Sequence, residues 1–204
     1  MKRIIIIIPA LILCMVSIAQ DQKIISDCTI FFSINSSDSE HPDIGSKTIF
    51  IKGKQMRVDL ETRAFNQTLF YNSGTGSATV LKEIGVSKYI AQYNAGEWKR
   101  SNHIYDSITV TLNDSEKNIL GYHCKQAVLT LKNGDTYKAY YVPGLIPSIM
   151  EMPFEANNIP GMVLEYESTN KRRERITYSA QNIDFKPVAT HQFDIPQAGY
   201  RVLH

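Results

Sequence analysis

QMRVDL at Gln55–Leu60 and ITVTL at Ile108–Leu112 alternate apolar with polar residues, and the fold class follows from that period of two. Such alternation arises when one face of a strand is buried and the other meets water, the usual state of antiparallel strands. The same pattern places Cys28, Ile30, Phe32 and Ile34 on one face of the first strand, with Cys28 toward the core, and Tyr122 and Cys124 on one face of another. Turn signals separate the strands at Lys52-Gly53-Lys54, Asn72 to Gly76, Asn113-Asp114, Asn133-Gly134 and Thr169-Asn170. Asn133-Gly134 suits a tight hairpin whose two central residues need positive φ, joining Ala127–Leu131 to Thr136–Val142.

Two stretches break the pattern. Asn94-Ala-Gly-Glu97 has the spacing of a capping box, which predicts a short helix through Trp98 to about Asn102. The stretch 143–161 carries Pro143, Pro147, Pro153 and Pro160, too many residues without a backbone donor for a ladder strand. It reads as a long connection with a helical turn near Ser148–Glu151. Its Leu145, Ile146, Ile149, Met150, Met152 and Phe154 make it apolar for a surface segment, so it is either a lid over an open core or a plug in the end of its own barrel.

The N-terminus reads as an export signal. Lys2 and Arg3 precede an apolar run from Ile4 to Val16, and Ser17 and Ala19 fit small-residue cleavage positions before Gln20. The run falls short of the roughly 20 residues that span a bilayer and is interrupted by Pro9. Leu13 before Cys14 argues against lipidation, which needs a small residue there. The division expected is a signal peptide at 1–19 and a single domain at 20–204, periplasmic, outer-envelope or secreted, with no membrane span in the mature form. Cleavage removes two of the 22 basic residues and none of the 20 acidic ones, leaving a neutral domain with no electrostatic case for nucleic acid. The cluster Lys171, Arg172, Arg173, Arg175 is broken by Glu174 and reads as a solvated hairpin end. Cys28 and Cys124 are the cysteines that remain, and an oxidising compartment lets them pair, a bridge typically worth about 2–4 kcal/mol.

Catalytic spacings are missing: no Gly-x-Ser-x-Gly, no His-Glu-x-x-His and no complete phosphate-binding loop. Gly45-Ser46-Lys47-Thr48 and Gly74-x-Gly76 are fragments of glycine-rich patterns and read as turns. His41, His103, His123, His191 and His204 show no pair at metal-ligand spacing, and no cofactor is expected. An enzyme would need a polar cluster assembled in three dimensions, such as a histidine beside a carboxylate. Tyr137, Tyr140 and Tyr141, with Tyr122 nearby, suit a sheet face or a pocket wall.

The stretch Gly121-Tyr-His-Cys124-Lys125, then Asn133-Gly134, Tyr140-Tyr-Val-Pro143, Ile159-Pro-Gly-Met-Val-Leu-Glu-Tyr166 and the close Phe193-Asp-Ile-Pro196 with Gly199-Tyr200 resembles exported domains related to the GLPGLI family and similar to the LolA/LolB-like group. Asn158-Ile-Pro-Gly-Met162 stands where the name-giving pattern has Gly-Leu-Pro-Gly-Leu. The resemblance, covering roughly Lys47 to the C-terminus, implies a mainly β, strongly curved antiparallel sheet forming an unclosed half-barrel, its apolar concave face covered by one or two short helices or loops. It also implies a non-enzymatic envelope protein that binds a lipid, a lipidated protein or another apolar ligand. Met56, Val58, Leu60, Ile108, Val110, Leu112, Met150, Met152 and Phe154 are the residues expected to line the concavity. A structural or interaction protein whose concavity is filled by its own side chains is the competing expectation.

Overall fold

The computed structural model describes residues 22–37, 43–151, 159–169 and 174–203. The signal segment, Met152, Phe154 and the basic residues 171–173 therefore lie outside the described residues.

The chain runs through β1 (Lys23–Ile25), β2 (Asp27–Ser36), β3 (Asp43–Lys52), β4 (Gln55–Thr62), β5 (Asn66–Asn72), β6 (Ser77–Ile84) and β7 (Ser87–Tyr93). A helix, α1 (Ala95–Ser101), and a 3-10 turn at His103–Tyr105 follow. The second half holds β8 (Thr109–Ile119), β9 (Tyr122–Thr130), β10 (Thr136–Pro143), β11 (Leu145–Pro147), β12 (Gly161–Thr169), β13 (Arg175–Asp184), a 3-10 turn at Thr190–Phe193 and β14 (Arg201–Val202). Twelve of these strands form one sheet in the order β14-β7-β6-β5-β4-β3-β2-β13-β12-β10-β9-β8, antiparallel except where β14 runs parallel to β7. No ladder among the described residues joins β8 to β14, so the sheet is not closed into a barrel. This is the mainly β, half-barrel architecture expected from the sequence.

The period of two is read directly by burial. Cys28, Ile30, Phe32 and Ile34 are buried along β2, Ile49 and Ile51 along β3, Met56 and Val58 along β4, and they join Met162 and Leu164 of β12 in the core. The opposite face of β3 to β6 is covered by the chain after β13. Arg57 reaches across it to the Gln192 carbonyl at 2.9 Å, its guanidinium between the rings of Phe50 and Phe70, each 5.5 Å from the centroid. Lys52 donates to the Val188 carbonyl at 2.7 Å beside it.

The capping box forms as expected: the Asn94 side chain accepts from the Glu97 N–H at 3.0 Å, and the Glu97 carboxylate accepts from the Asn94 N–H at 2.9 Å. The capped helix packs on β6 and β7 and lays Trp98 on Tyr71 and Tyr93, with ring centroids 6.1 and 5.6 Å apart. Replacing Asn94 by alanine should lower stability by about 1 kcal/mol, read as a shift of the urea midpoint at unchanged slope. No shift would mean that Trp98 alone holds the helix.

Four local expectations are corrected. There is no helical turn at Ser148–Glu151; instead β11 pairs in parallel with β1, Ile146 opposite Ile24. The prolines are accommodated because Pro143 and Pro147 each end a strand and Pro160 precedes one, where a missing donor breaks little. Asn113-Asp114 is no turn but a bulge inside β8, and that strand ends at Leu120-Gly121, where both residues have positive φ, 53° and 82°. The Asn133-Gly134 hairpin does form, but only Gly134 has positive φ, and Leu131 and Asp135 close the loop through a 2.9 Å backbone bond. Gly45 to Thr48 lies within β3 rather than in a turn.

The expected disulfide is not formed. Cys28 and Cys124 are free thiols, each fully buried in the same apolar cluster as Met162 and Leu164. They lie on β2 and β9, with β13, β12 and β10 between them in the sheet, so they approach only through its curvature.

Candidate functional site

The concavity is not filled evenly. At the end where β1 and β11 pair, Ile25, Ile149, Met162 and Leu164 pack into the core. Toward the other end, where β4 finishes, β5 starts and β12 finishes, a cavity of about 360 Å³ remains. Val58, Leu60, Leu69, Ile108, Leu129 and Leu131 give it an apolar wall, and the exposed Ile104 lies at its rim.

Its polar floor is built on Lys47. Continuing the inward series of β3 (Lys47, Ile49, Ile51), this lysine is carried to the core face and is only 4% exposed. Burying a charge without compensation is costly, and the compensation here is complete. Lys47 Nζ is ion-paired with Glu151, whose carboxylate arrives on the segment after β11, and donates to Tyr166 Oη at 2.6 Å. It also sits over three aromatic faces, 5.1 Å from the Tyr166 centroid, 5.4 Å from Tyr178 and 6.0 Å from Phe32. Tyr166 and Tyr178 stack at 4.5 Å because they are directly opposed on β12 and β13, and Phe32 meets Tyr166 edge-on. Rings so arranged attract a cation electrostatically.

Burial is the largest influence on the hydroxyls around this ion pair, and the Glu151 charge adds to it: the Tyr105, Tyr166 and Tyr178 phenols are all pushed above their usual range. They therefore stay protonated at neutral pH. Glu167, also on the cavity wall, is engaged by Arg175 at 2.6 Å.

Of the residues expected to line the concavity, Val58, Leu60 and Ile108 do so. Met56 is buried and borders an adjoining cleft with Trp98, Tyr105 and Glu151. Val110 packs on a second cluster around Leu129 and Tyr141, and Met150 lines a small apolar crevice between Phe32, Ile49 and Val163. Leu112 is half exposed and outside the cavity, on the edge strand β8 opposite Ala127. Met152 and Phe154 lie outside the described residues. Tyr137 is on the cavity wall, while Tyr140 accepts from Gln126 at 2.6 Å and Tyr141 is buried. Sequence reasoning missed Lys47, Glu151, Tyr166 and Tyr178.

His103 bonds the Arg100 carbonyl and His123 lies beside Glu116 on the surface. Among the described residues no group of three His, Cys, Asp or Glu side chains is placed to hold a metal.

The chain is thus an open, mainly antiparallel half-barrel with one helix packed on it and a hollow at one end. No family model matches the chain, the GLPGLI family included, and no curated protein matches it. Among solved structures it is similar to PNGF-II in two crystal forms, at TM-scores 0.52 and 0.53 and 12% identity, over 86% and 87% of this chain. It spans only 30% and 31% of PNGF-II, so the likeness is to part of that protein and concerns the fold alone. The MucA/MucB complex of Pseudomonas aeruginosa matches at TM-score 0.47 and 11% identity, over 83% of this chain and 56% of that one. A LolA superfamily protein from Nitrosomonas europaea matches at 0.34 and 12%, over 87% and 91%.

Proposed function

We propose that this chain is exported with residues 1–19 as its signal peptide and acts, through its single domain at 20–204, as a non-enzymatic binding protein of the cell envelope. Its ligand is a lipid, a lipidated protein or another apolar molecule held in the concavity. The cavity of about 360 Å³ carries this reading, since it falls within the roughly 300–1,000 Å³ of small-molecule sites and combines an apolar wall with a few convergent polar groups. A concavity filled by the protein's own side chains would leave no such space. No helix among the described residues is long and apolar enough to cross a membrane, which is compatible with a domain that meets its ligand in solution.

Native mass spectrometry of the protein purified from its own host's envelope tests the reading. A chain starting at Gln20 with a stoichiometric, organic-extractable mass is the expected result. An apo mass, with no uptake of added amphiphiles, would replace the binding protein by a structural or interaction protein.

A further inference from the structure

The cavity holds an ion pair where an apolar ligand's end would lie, and the details of that pair indicate what the end is. Lys47 is buried and immobilised among three rings on strands β2, β12 and β13. Glu151 comes from a different part of the chain, and its side chain retains 21% exposure against 4% for Lys47. The two partners are thus unequal: the cation belongs to the sheet, whereas the anion reaches it from the cavity side and keeps contact with solvent. Glu167 cannot replace Glu151 on Lys47 without giving up Arg175.

Resting on the binding-protein reading above, the geometry points to Glu151 as a built-in stand-in for the carboxylate of the ligand: the protein takes a monocarboxylic acid with an aliphatic tail, whose head group displaces Glu151 from Lys47 while the tail lies along Val58, Leu60, Leu69 and Leu129. The exchange trades one carboxylate for another on Lys47 and returns Glu151 to water, so little electrostatic energy is lost. A neutral head group has no such exchange available. It must either leave the Lys47–Glu151 pair standing in its way or break it and strand a buried cation. A phosphate monoester is disfavoured because one lysine would face its second negative charge. The discrimination follows from a polar group that would be left unpaired, the strongest basis of specificity in a buried site.

The test is calorimetric titration of the full mature domain with octanoate and, in parallel, 1-octanol, which differ only at the head. Octanoate should bind the wild type at least about tenfold more tightly, the equivalent of about 1.4 kcal/mol. Glu151→Gln should strengthen octanoate further by about tenfold with no matching gain for 1-octanol, since a charge-assisted partner of Lys47 has been removed. Lys47→Met should abolish the preference. An increase in affinity cannot arise from misfolding, so Glu151→Gln decides the matter even if Lys47→Met proves too unstable to titrate. Equal binding of the two probes, or weaker octanoate binding by Glu151→Gln, overturns the carboxylate assignment and leaves the binding-protein reading standing. Absence of binding by both probes in every variant overturns both.

Discussion

Gly161→Ala should destabilise the domain by about 3 kcal/mol, the upper range of overpacking costs, although its backbone φ is not positive. A Cβ built at Gly161 would lie 2.0 Å from the Val142 carbonyl oxygen, 2.7 Å from its carbon and 2.8 Å from Tyr141 Cδ2. Two of these three atoms are backbone of the paired strand β10, where Gly161 stands opposite Pro143 at the end of the ladder. Relief therefore requires β12 and β10 to separate at the point where Met162 and Leu164, both essentially inaccessible, enter the core. Gly53→Ala provides the contrast. Its φ is +57° and nothing lies within 4 Å of the added carbon, so it should cost only the left-handed strain of about 1–2 kcal/mol. Urea unfolding of the two variants checks the ranking. If Gly53→Ala were the more damaging, the close approach at Gly161 would be relieved at little cost and would not explain the glycine in the Ile159-Pro160-Gly161-Met162 stretch.

The strands were legible because burial in an open antiparallel sheet is one-sided, so alternation in β2 to β4 was printed in the residues. The α1 cap was legible for a different reason: Asn94 and Glu97 satisfy each other locally, without help from the rest of the fold. The prolines of 143–160 misled because they were counted without regard to position. A strand-terminal proline such as Pro143 or Pro147 sacrifices little, and the segment between them could still pair with β1. The Asn113-Asp114 signal was real in kind but was absorbed as a bulge, since β8 lies at the edge of the sheet and needs no partner on its outer side.

The apolar wall of the cavity was partly legible and its chemistry was not. Val58 and Leu60 follow from alternation on β4. Lys47 was hidden by its company, Gly45-Ser46-Lys47-Thr48, which imitates part of a phosphate loop. The signal that would have found it is its place two residues before Ile49 and four before Ile51, a charge on the apolar side of a strand. Glu151 gives the complementary signal, a carboxylate inside the run Ile149-Met150-Glu151-Met152. Neither position demands the other in sequence, because 104 residues separate them and only the folded sheet brings them together.

Raising the pH from 9 to 10 should cost the reduced protein about 2 kcal/mol of stability through its two thiols, because burial, the dominant influence on both cysteines, pushes the Cys28 thiol up to about 12 and the Cys124 thiol up to about 11, from an ordinary value of 9.0. Both folded-state values are raised, and for an acid this means that the native state resists losing the proton. The stabilisation is complete below the unfolded value near 9 and is withdrawn as pH rises toward 11 and 12, because the unfolded chain ionises first. Each thiol contributes at most about 1.4 kcal/mol per pH unit in that window, against a total stability of roughly 5–15 kcal/mol. Tyr105, Tyr141, Tyr166, Tyr178 and Tyr200 are also raised above their ordinary 10.0, and an unfolded phenol is already half ionised at pH 10, so they add to the fall and only a cysteine-free variant isolates the thiols' share. Urea midpoints measured at pH 7, 9 and 10 should therefore fall for the wild type. Cys28→Ala/Cys124→Ala, though somewhat less stable at pH 7 for want of two buried sulfurs, should fall less steeply than the wild type, keeping only the share of the tyrosines. An equal fall in the double variant would place the alkaline weakness elsewhere.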